Sequence, residues 1–317
     1  MKRLSRLALL LAAAAVIGAV ATSSDTGATT PGANGLIVYA KEVDGDHQLF
    51  TIRPDGTGER RIVAVKGSEA TEPDWSPDGR KIVFQLDPDD RRGCRVVVMN
   101  ADGSGRVDLT GKRNGCDGQP AFTADGRRIV FGRYDDKLDA ECLWRMNLRG
   151  RDRRLITPCK GLGPTDPNVS PDGKWVTYAH VKQEERLVAL YAVRPNGTRR
   201  RQLVPHTWSI ALKHDWSPDG KLIVLTRNAH HARPGESANL VTIRPDGTGT
   251  NQLTHYTGGA ANAYAGSFSP DGRQIVFRLE KGGKYALATI DRNGRNFRLL
   301  TKLSAGRPRF IDWGTHP

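Results

Sequence analysis

A chain of 317 residues with 35 Gly and 18 Pro, and no long apolar run beyond its N-terminus, speaks against long helices and for many short strands joined by turns. The length would hold two ordinary domains, but a repeat architecture uses it as one closed unit. The net charge of +14 brings anionic partners into consideration and says nothing of fold.

Residues 1–21 open with Lys2, Arg3 and Arg6, continue through an apolar stretch over 7–20, and end on Ala19, Val20 and Ala21, the small residues that signal peptidase requires. A cleaved secretion signal is expected. The alternative, an uncleaved anchor, has an apolar stretch short of the ~20 residues that span a bilayer. No Cys follows the stretch, so a lipid anchor lacks its attachment residue. Residues 22–34, rich in Thr, Ser, Gly and Ala, are expected to be a flexible lead-in. Without the three basic residues of the signal the net charge is +11. A secreted or periplasmic location follows, with no stable membrane insertion after cleavage.

From residue 35 onward a period governs the chain. The turn Arg53-Pro54-Asp55-Gly56 recurs with its last residue at Gly103, Gly150, Gly197, Gly247 and Gly294, at spacings of 47, 47, 47, 50 and 47. A second turn, Ser76-Pro77-Asp78-Gly79, recurs at Gly126, Gly173, Gly220 and Gly272. Pro presets the first corner, Asp bonds the local backbone, and Gly takes the left-handed position that closes a hairpin. An aromatic or apolar residue precedes it: Trp75, Phe122, Val169, Trp216 or Phe268. Each unit therefore supplies four strands, A before this turn, B (81–85 in the second unit), C (96–99) and D (106–110). About 47 residues per four-stranded antiparallel unit is the size of a propeller blade.

The expected architecture is all-β, a six-bladed β-propeller over 35–317. Blade 1 takes 35–63 plus 309–314, blade 2 takes 72–110, blade 3 takes 119–157, blade 4 takes 166–204, blade 5 takes 213–254 and blade 6 takes 265–301. Blade 1 lacks its own strand A, and Phe310-Ile311-Asp312-Trp313-Gly314 matches Pro73-Asp74-Trp75-Ser76, so the C-terminal strand is expected to close the ring.

The run from Pro73 through Trp75, Ser76, Pro77, Asp78 and Gly79 to Phe84, followed by an apolar strand, Asp102-Gly103-Ser104-Gly105 and Leu109-Thr110, resembles the TolB-type, WD-repeat-like propeller repeat. The resemblance covers residues 35–317 and implies the same six-bladed fold. TolB itself carries an α/β domain ahead of its propeller, where this chain has only the short lead-in, so the Tol-Pal role is not carried over.

Antiparallel order puts the A-to-B and C-to-D turns on one face. The B-to-C loops and D-to-A crossings fall on the other, where loop lengths vary and a binding site is expected. Four cysteines allow three pairings. Cys94 and Cys142 end B-to-C loops, and Cys116 and Cys159 lie in the D-to-A crossings of the same blades, so Cys94 is expected to pair with Cys116 and Cys142 with Cys159. In chain-entropy models each bond is worth roughly 3 kcal/mol. A zinc site built from the four thiolates lacks paired C-x-x-C spacing.

Glu72, Gln119, Asp166 and Lys213, just ahead of the inner strands, are expected to ring the channel mouth, with His214 beside them. They are the candidate contacts for a polar ligand or partner; otherwise they hydrate a water-filled channel. His206, His214, His230, His231 and His255 map to loops of blades 4 to 6 without a short ligand spacing. The acidic loops at Asp87, Asp89, Asp90 and at Asp135, Asp136, Asp139 complete no known calcium loop. No cofactor is expected, and a loop-bound calcium or other metal remains an alternative. Arg60, Arg61, Arg151, Arg153, Arg154, Arg199, Arg200 and Arg201 begin strand D at the outer edge, where charge discourages edge-to-edge pairing. Spread around a rim, they form no nucleic-acid groove.

The function these features favour is a non-catalytic extracellular scaffold, monomeric, binding a protein or cell-envelope partner on the long-loop face. The alternatives are a propeller enzyme, a lyase or hydrolase acting at the channel mouth, and a basic binder of anionic envelope polymers. The absence of Gly-x-Ser-x-Gly excludes a serine hydrolase of the nucleophile-elbow type.

Overall fold

The computed structural model describes residues 29, 31–88, 93–111, 115–161, 163–182, 187–229 and 235–317. The secretion signal over 1–21 and Asp89, Asp90, His230 and His231 lie outside the described residues.

Blade 1 contains β1 (Asn34–Val43), β2 (Asp46–Ile52) and β3 (Arg60–Val63), and blade 2 contains β4 (Ser68–Trp75), β5 (Lys81–Pro88), β6 (Arg95–Asn100) and β7 (Val107–Asp108). Blade 3 is β8 (Cys116–Phe122), β9 (Arg128–Asp135), β10 (Ala140–Asn147) and β11 (Arg154–Leu155). Blade 4 is β12 (Pro164–Val169), β13 (Val176–Lys182), β14 (Leu187–Val193) and β15 (Arg201–Val204). Blade 5 is β16 (His214–Trp216), β17 (Ile223–Arg227), β18 (Asn239–Ile243) and β19 (Asn251–Gln252). Blade 6 is β20 (Asn262–Phe268), β21 (Gln274–Lys281), β22 (Lys284–Asp291) and β23 (Arg298–Leu299), and β24 (Arg309–Thr315) returns to β1.

Strands B and C have both faces covered by neighbouring blades, so they read as unbroken apolar runs rather than as an alternation. Ile82, Val83 and Phe84 of β5 and Val96 to Met99 of β6 are all buried. Six clusters of buried apolar side chains form the core, one for each blade-to-blade interface. The seam is one of them: Ile37, Tyr39, Phe50 and Ile52 of blade 1 pack with Ile311 and Trp313 against Val276, Leu287 and Leu300 of blade 6. Ile37 is paired with Trp313 and Val38 with Asp312, and Trp313 Nε1 donates to Gly35 O at 3.2 Å.

The C-to-D glycine is demanded twice. Gly150 has φ 70°, and a Cβ there would lie 2.0 Å from Leu109 O of the preceding blade. At the seam the same approach recurs, 2.2 Å between a Cβ on Gly56 and Leu300 O. The period in the sequence is therefore the footprint of blades packed turn against strand.

Rim arginines tie neighbouring blades together. Arg60 Nη2 donates to Asp102 O at 2.9 Å, Arg106 Nη2 to Ile62 O at 3.1 Å and Arg153 Nη2 to Leu109 O at 3.2 Å. Arg201 Nη2 donates to Pro245 O at 3.1 Å and Arg298 Nη2 to Asp55 O at 2.8 Å. Both disulfides are formed, Cys94 with Cys116 and Cys142 with Cys159, at Cα separations of 4.5 and 4.6 Å.

Part of the segment expected as a flexible lead-in has a fixed place. Gly32 N donates to Pro270 O at 3.2 Å in the A-to-B turn of blade 6, and Pro31 lies against the corresponding turns of blades 4 and 5. Thr29 is buried in the channel, its hydroxyl donating to Asp215 Oδ2 at 2.7 Å and lying 3.0 Å from Ser267 Oγ. The chain thus crosses the turn face and enters the channel from that side.

Candidate functional site

The inner strands of blades 2, 3 and 4 each carry a bulge near the loop face. The register of strand A against strand B slips between Thr71 and Asp74, between Gly118 and Ala121 and between Thr165 and Asn168. At the bulges Glu72, Gln119 and Asp166 adopt φ 52°, 51° and 47°. Left-handed backbone at a non-glycine residue costs roughly 1–3 kcal/mol, and the following Pro73, Pro120 and Pro167 restrict these residues further. Bulges re-aim side chains. Here Glu72, Gln119 and Asp166 line one small pocket together with Asp74, Asn168, Lys213, His214 and Phe310.

All five candidate mouth residues therefore line the same cavity, with two differences from the sequence reading. Glu72, Gln119 and Asp166 lie inside β4, β8 and β12 rather than ahead of them, because strand A extends several residues toward the loop face. His214 begins β16 and is buried rather than being a loop histidine. Its Nδ1 is 3.0 Å from Leu212 O and its Nε2 is 2.9 Å from Thr177 Oγ1, so both ring nitrogens are engaged.

Two residues further along each strand lies a second ring: Asp74, Ala121, Asn168, Asp215, Ser267 and Asp312. Three of its carboxylates accept a backbone N–H from the next blade. Asp312 takes Trp75 N, Asp74 takes Phe122 N and Asp215 takes Phe268 N, each at 2.8 Å. Asp215 also receives Asn168 Nδ2 at 3.2 Å and the hydroxyl of Ser267 at 3.0 Å. Sequence reasoning missed this ring, although the Asp-Trp pairs at 74–75, 215–216 and 312–313 mark it.

Burial drives the electrostatics of the channel. It pushes the Glu72 carboxyl up to about 8, with help from Asp166 and against Lys213, Arg309 and the Gln119 amide. Glu72 Oε2 is buried without a hydrogen-bond partner. Asp166 is raised by burial, opposed by His214 and Lys213. Asp74 is well above the carboxylate range through burial and the neighbouring Asp312, and Asp215 reaches about 6 for the same two reasons. Burial lowers His214, which Asp166 partly offsets. Burial also works against the Lys213 ammonium, yet Asp312, Asp166, Asp74 and Asp215 together raise it, so it stays charged. It stands among these carboxyls without a direct ion pair to any described residue. The mouth therefore holds the Lys213 ammonium beside the raised carboxyls of Glu72 and Asp166, while the Gln119 amide is engaged within the site, its Oε1 accepting Asp166 N at 2.9 Å and the Thr165 hydroxyl.

The remaining candidates fall elsewhere. His206, in a short 3-10 turn (His206–Trp208), has Nε2 3.3 Å from His180 Nδ1, and His255 lies beyond β19. Asp135 accepts Lys137 N at 3.0 Å and Asp139 accepts the Tyr134 hydroxyl at 2.8 Å, so both brace their own loop. Asp87 lies near the end of β5. Among the described residues no group of three or more His, Cys, Asp or Glu is arranged to hold a metal ion. No helix among them is long and apolar enough to cross a membrane.

Six four-stranded antiparallel blades around a polar channel, closed by pairing the first strand with the last, define the class as a six-bladed β-propeller. The family model described as TolB beta propeller domain matches residues 9–211, more than half of the chain, and the chain belongs to this family. A protein TolB homolog of Chlorobium luteolum is 35% identical over 51 residues, which are 16% of this chain and 12% of that protein. The structure of TolB from Acinetobacter baumannii superposes with a TM-score of 0.71 at 21% identity, over 89% of this chain and 67% of that one. An oligogalacturonate lyase in complex with manganese superposes with a TM-score of 0.53 at 12% identity, over 86% and 74% of the two chains. Likeness at these identities shows the fold alone.

Proposed function

We propose that this propeller is an extracytoplasmic, non-catalytic scaffold that receives a protein or cell-envelope partner on its loop face, centred on the channel mouth. The observation that carries the reading is the set of strained, bulged positions, Glu72, Gln119 and Asp166, gathered around the Lys213 ammonium. Backbone strain persists where the surroundings over-determine it, and it concentrates at ligand clamps. Two further features support the loop face. The chain's own Thr29 already occupies the turn-face side of the channel, and the disulfides fasten loops on the opposite side. Disulfides also suit an oxidising compartment outside the cytoplasm.

The test is capture from an envelope fraction by the purified protein and by a Glu72→Gln/Asp166→Asn double variant of equal thermal stability. The scaffold reading expects a partner enriched by the parent and reduced at least about tenfold in the variant, the loss of roughly 1.4 kcal/mol or more of binding. Equal capture by the two proteins removes the mouth from the interface.

A second reading, a propeller lyase or hydrolase, draws on the raised carboxyls of Glu72 and Asp166, since perturbed groups in a cleft are candidates for acid–base work. His214 gives it no free base, and Asp74 and Asp215 are spent on backbone N–H groups. Turnover of an acidic polysaccharide that disappears in Glu72→Gln is the result that would favour it.

A further inference from the structure

Beside the channel mouth, where blade 6 meets the closing strand, three guanidinium groups lie over three aromatic rings. Arg278 of β21 lies over Tyr264 at 4.1 Å, Arg307 of the crossing over Tyr285 at 5.3 Å, and Arg309 of β24 over Phe310 at 4.9 Å. Phe310 itself lines the mouth cavity.

One carboxylate stands among the three. Glu280 Oε1 accepts Arg307 Nε and Nη2 at 3.1 and 2.8 Å and lies 3.1 Å from Arg278 Nε. Arg278 is only 8% exposed; its Nη1 reaches Pro308 O at 3.4 Å, while its Nε is not aligned to donate to Glu280 and is buried without a hydrogen bond. The other carboxyls facing Arg309 are Glu69 and Glu72. Glu69 is committed to the His47 ring and to its backbone N–H. Glu72 is held in its neutral form by burial. Arg309 is partly exposed and makes no hydrogen bond to any described residue, so its five N–H donors are unspent.

The cluster therefore carries an excess of positive charge at a partly buried place. Burial and then mutual repulsion bring Arg309 down, and burial brings Arg278 down to about 10, with Arg307 adding to it; both remain charged at neutral pH. Uncompensated charge at a partly buried place is costly, and an incoming anion offsets that cost. Arg307 Nε and Nη2 and Arg278 Nη1 are already engaged, so the N–H groups of Arg309 are the ones left for the ligand. An edge-on fork of N–H groups matches the planar carboxylate bidentately.

We propose that Arg309, supported by Arg278 and Arg307, is a docking site for a carboxylate side chain in an acidic peptide segment of the partner. The proposal rests on the scaffold reading above and deepens it by giving the partner a chemistry.

The probe is an N-acetylated, C-amidated hexaglutamate peptide titrated calorimetrically into the purified protein at low ionic strength, with hexaglutamine and inorganic phosphate as companions. Binding of hexaglutamate and not of hexaglutamine is expected. Arg309→Gln is expected to weaken it at least about tenfold, the loss of one charge-assisted contact, with Arg309→Lys intermediate. Arg298→Gln, which removes the same charge from the rim, is expected to leave binding unchanged. Equal affinity in Arg309→Gln and parent overturns the proposal, as does an equal loss in Arg298→Gln, which would mark bulk charge. Phosphate binding tighter than the peptide, lost in Arg309→Gln, also overturns it and reassigns the site to phosphate. The Arg309 side chain makes no hydrogen bond to any described residue, so its variants are expected to melt like the parent, and the lysine variant keeps the test decisive should the glutamine one misfold. The titration reads this site alone, so its failure is separable from that of the Glu72 and Asp166 capture experiment.

Discussion

At the circumference, guanidinium groups of Arg60, Arg153, Arg201 and Arg298 donate to backbone carbonyls of a neighbouring blade. Along the axis, the carboxylates of Asp74, Asp215 and Asp312 accept backbone N–H groups of a neighbouring blade. The two sets do the same work in opposite surroundings. Rim arginines end near solvent, where water replaces a lost contact, and such bonds contribute little. Channel aspartates are enclosed, so a missing acceptor leaves buried donors with no alternative. The ring is thus tied tightly at its axis and loosely at its edge, and the fully enclosed carboxyls that burial raises, Glu72, Asp74, Asp166 and Asp215, gather at the axis.

The largest effect is expected from Asp215→Ala. It would orphan Phe268 N–H, leave Asn168 Nδ2 with His214 O as its one acceptor and release Thr29, costing about 3–5 kcal/mol in denaturant unfolding. A loss under about 1 kcal/mol would mean that the axial ties are no stronger than the rim.

The titration behaviour gives an intermediate effect. Glu72 has its carboxyl raised from 4.5 to about 8, so its contribution is full below its unfolded value and lost as pH rises through about 8. Asp215 behaves likewise through about 6. The turn aspartates run the other way. Bonds from the hydroxyls of Thr57, Ser104 and Thr248 lower Asp55, Asp102 and Asp246, and their contribution is lost in acid. Stability is therefore expected to fall from about pH 4.5 to about pH 8 and to level off above it, by up to ~1.4 kcal/mol per pH unit for each proton. Glu72→Gln is expected to flatten that slope in thermal melts across the range. An unchanged slope would place the titrating group elsewhere.

The smallest effect is expected at the rim, where Arg298→Gln should cost under about 1 kcal/mol. A larger loss in denaturant unfolding would make the edge an equal partner of the axis.

The fold was legible because its signals are local. Blade count follows from six Gly-ended turns, closure from the match of Phe310 to Gly314 with Pro73 to Ser76, and the disulfide pairing from cysteines that share one face, although Cys116 opens β8 of blade 3, so that its bond to Cys94 joins two blades, and Cys142 lies within β10 rather than in a loop. The axial ties were not legible, since Asp74 and Asp215 find their backbone partners 48 and 53 residues away. The mouth residues could be aligned by repeat position, but their left-handed bulges depend on how strand A is carried past its partner. Thr29 was hidden by composition: a polar segment suggests a mobile chain, whereas one hydroxyl beside the buried Asp215 is enough to seat it. The rim arginines read as edge charge because their carbonyl partners are one blade distant.

The central claim is that a partner enters from the loop face at the mouth. Its most direct test is photocrosslinking with p-benzoylphenylalanine placed at Phe310, which lines the mouth, and separately at Thr198 in a turn on the opposite face. The account predicts a discrete envelope-protein adduct from position 310 and none from position 198. An adduct formed only from position 198 would contradict it.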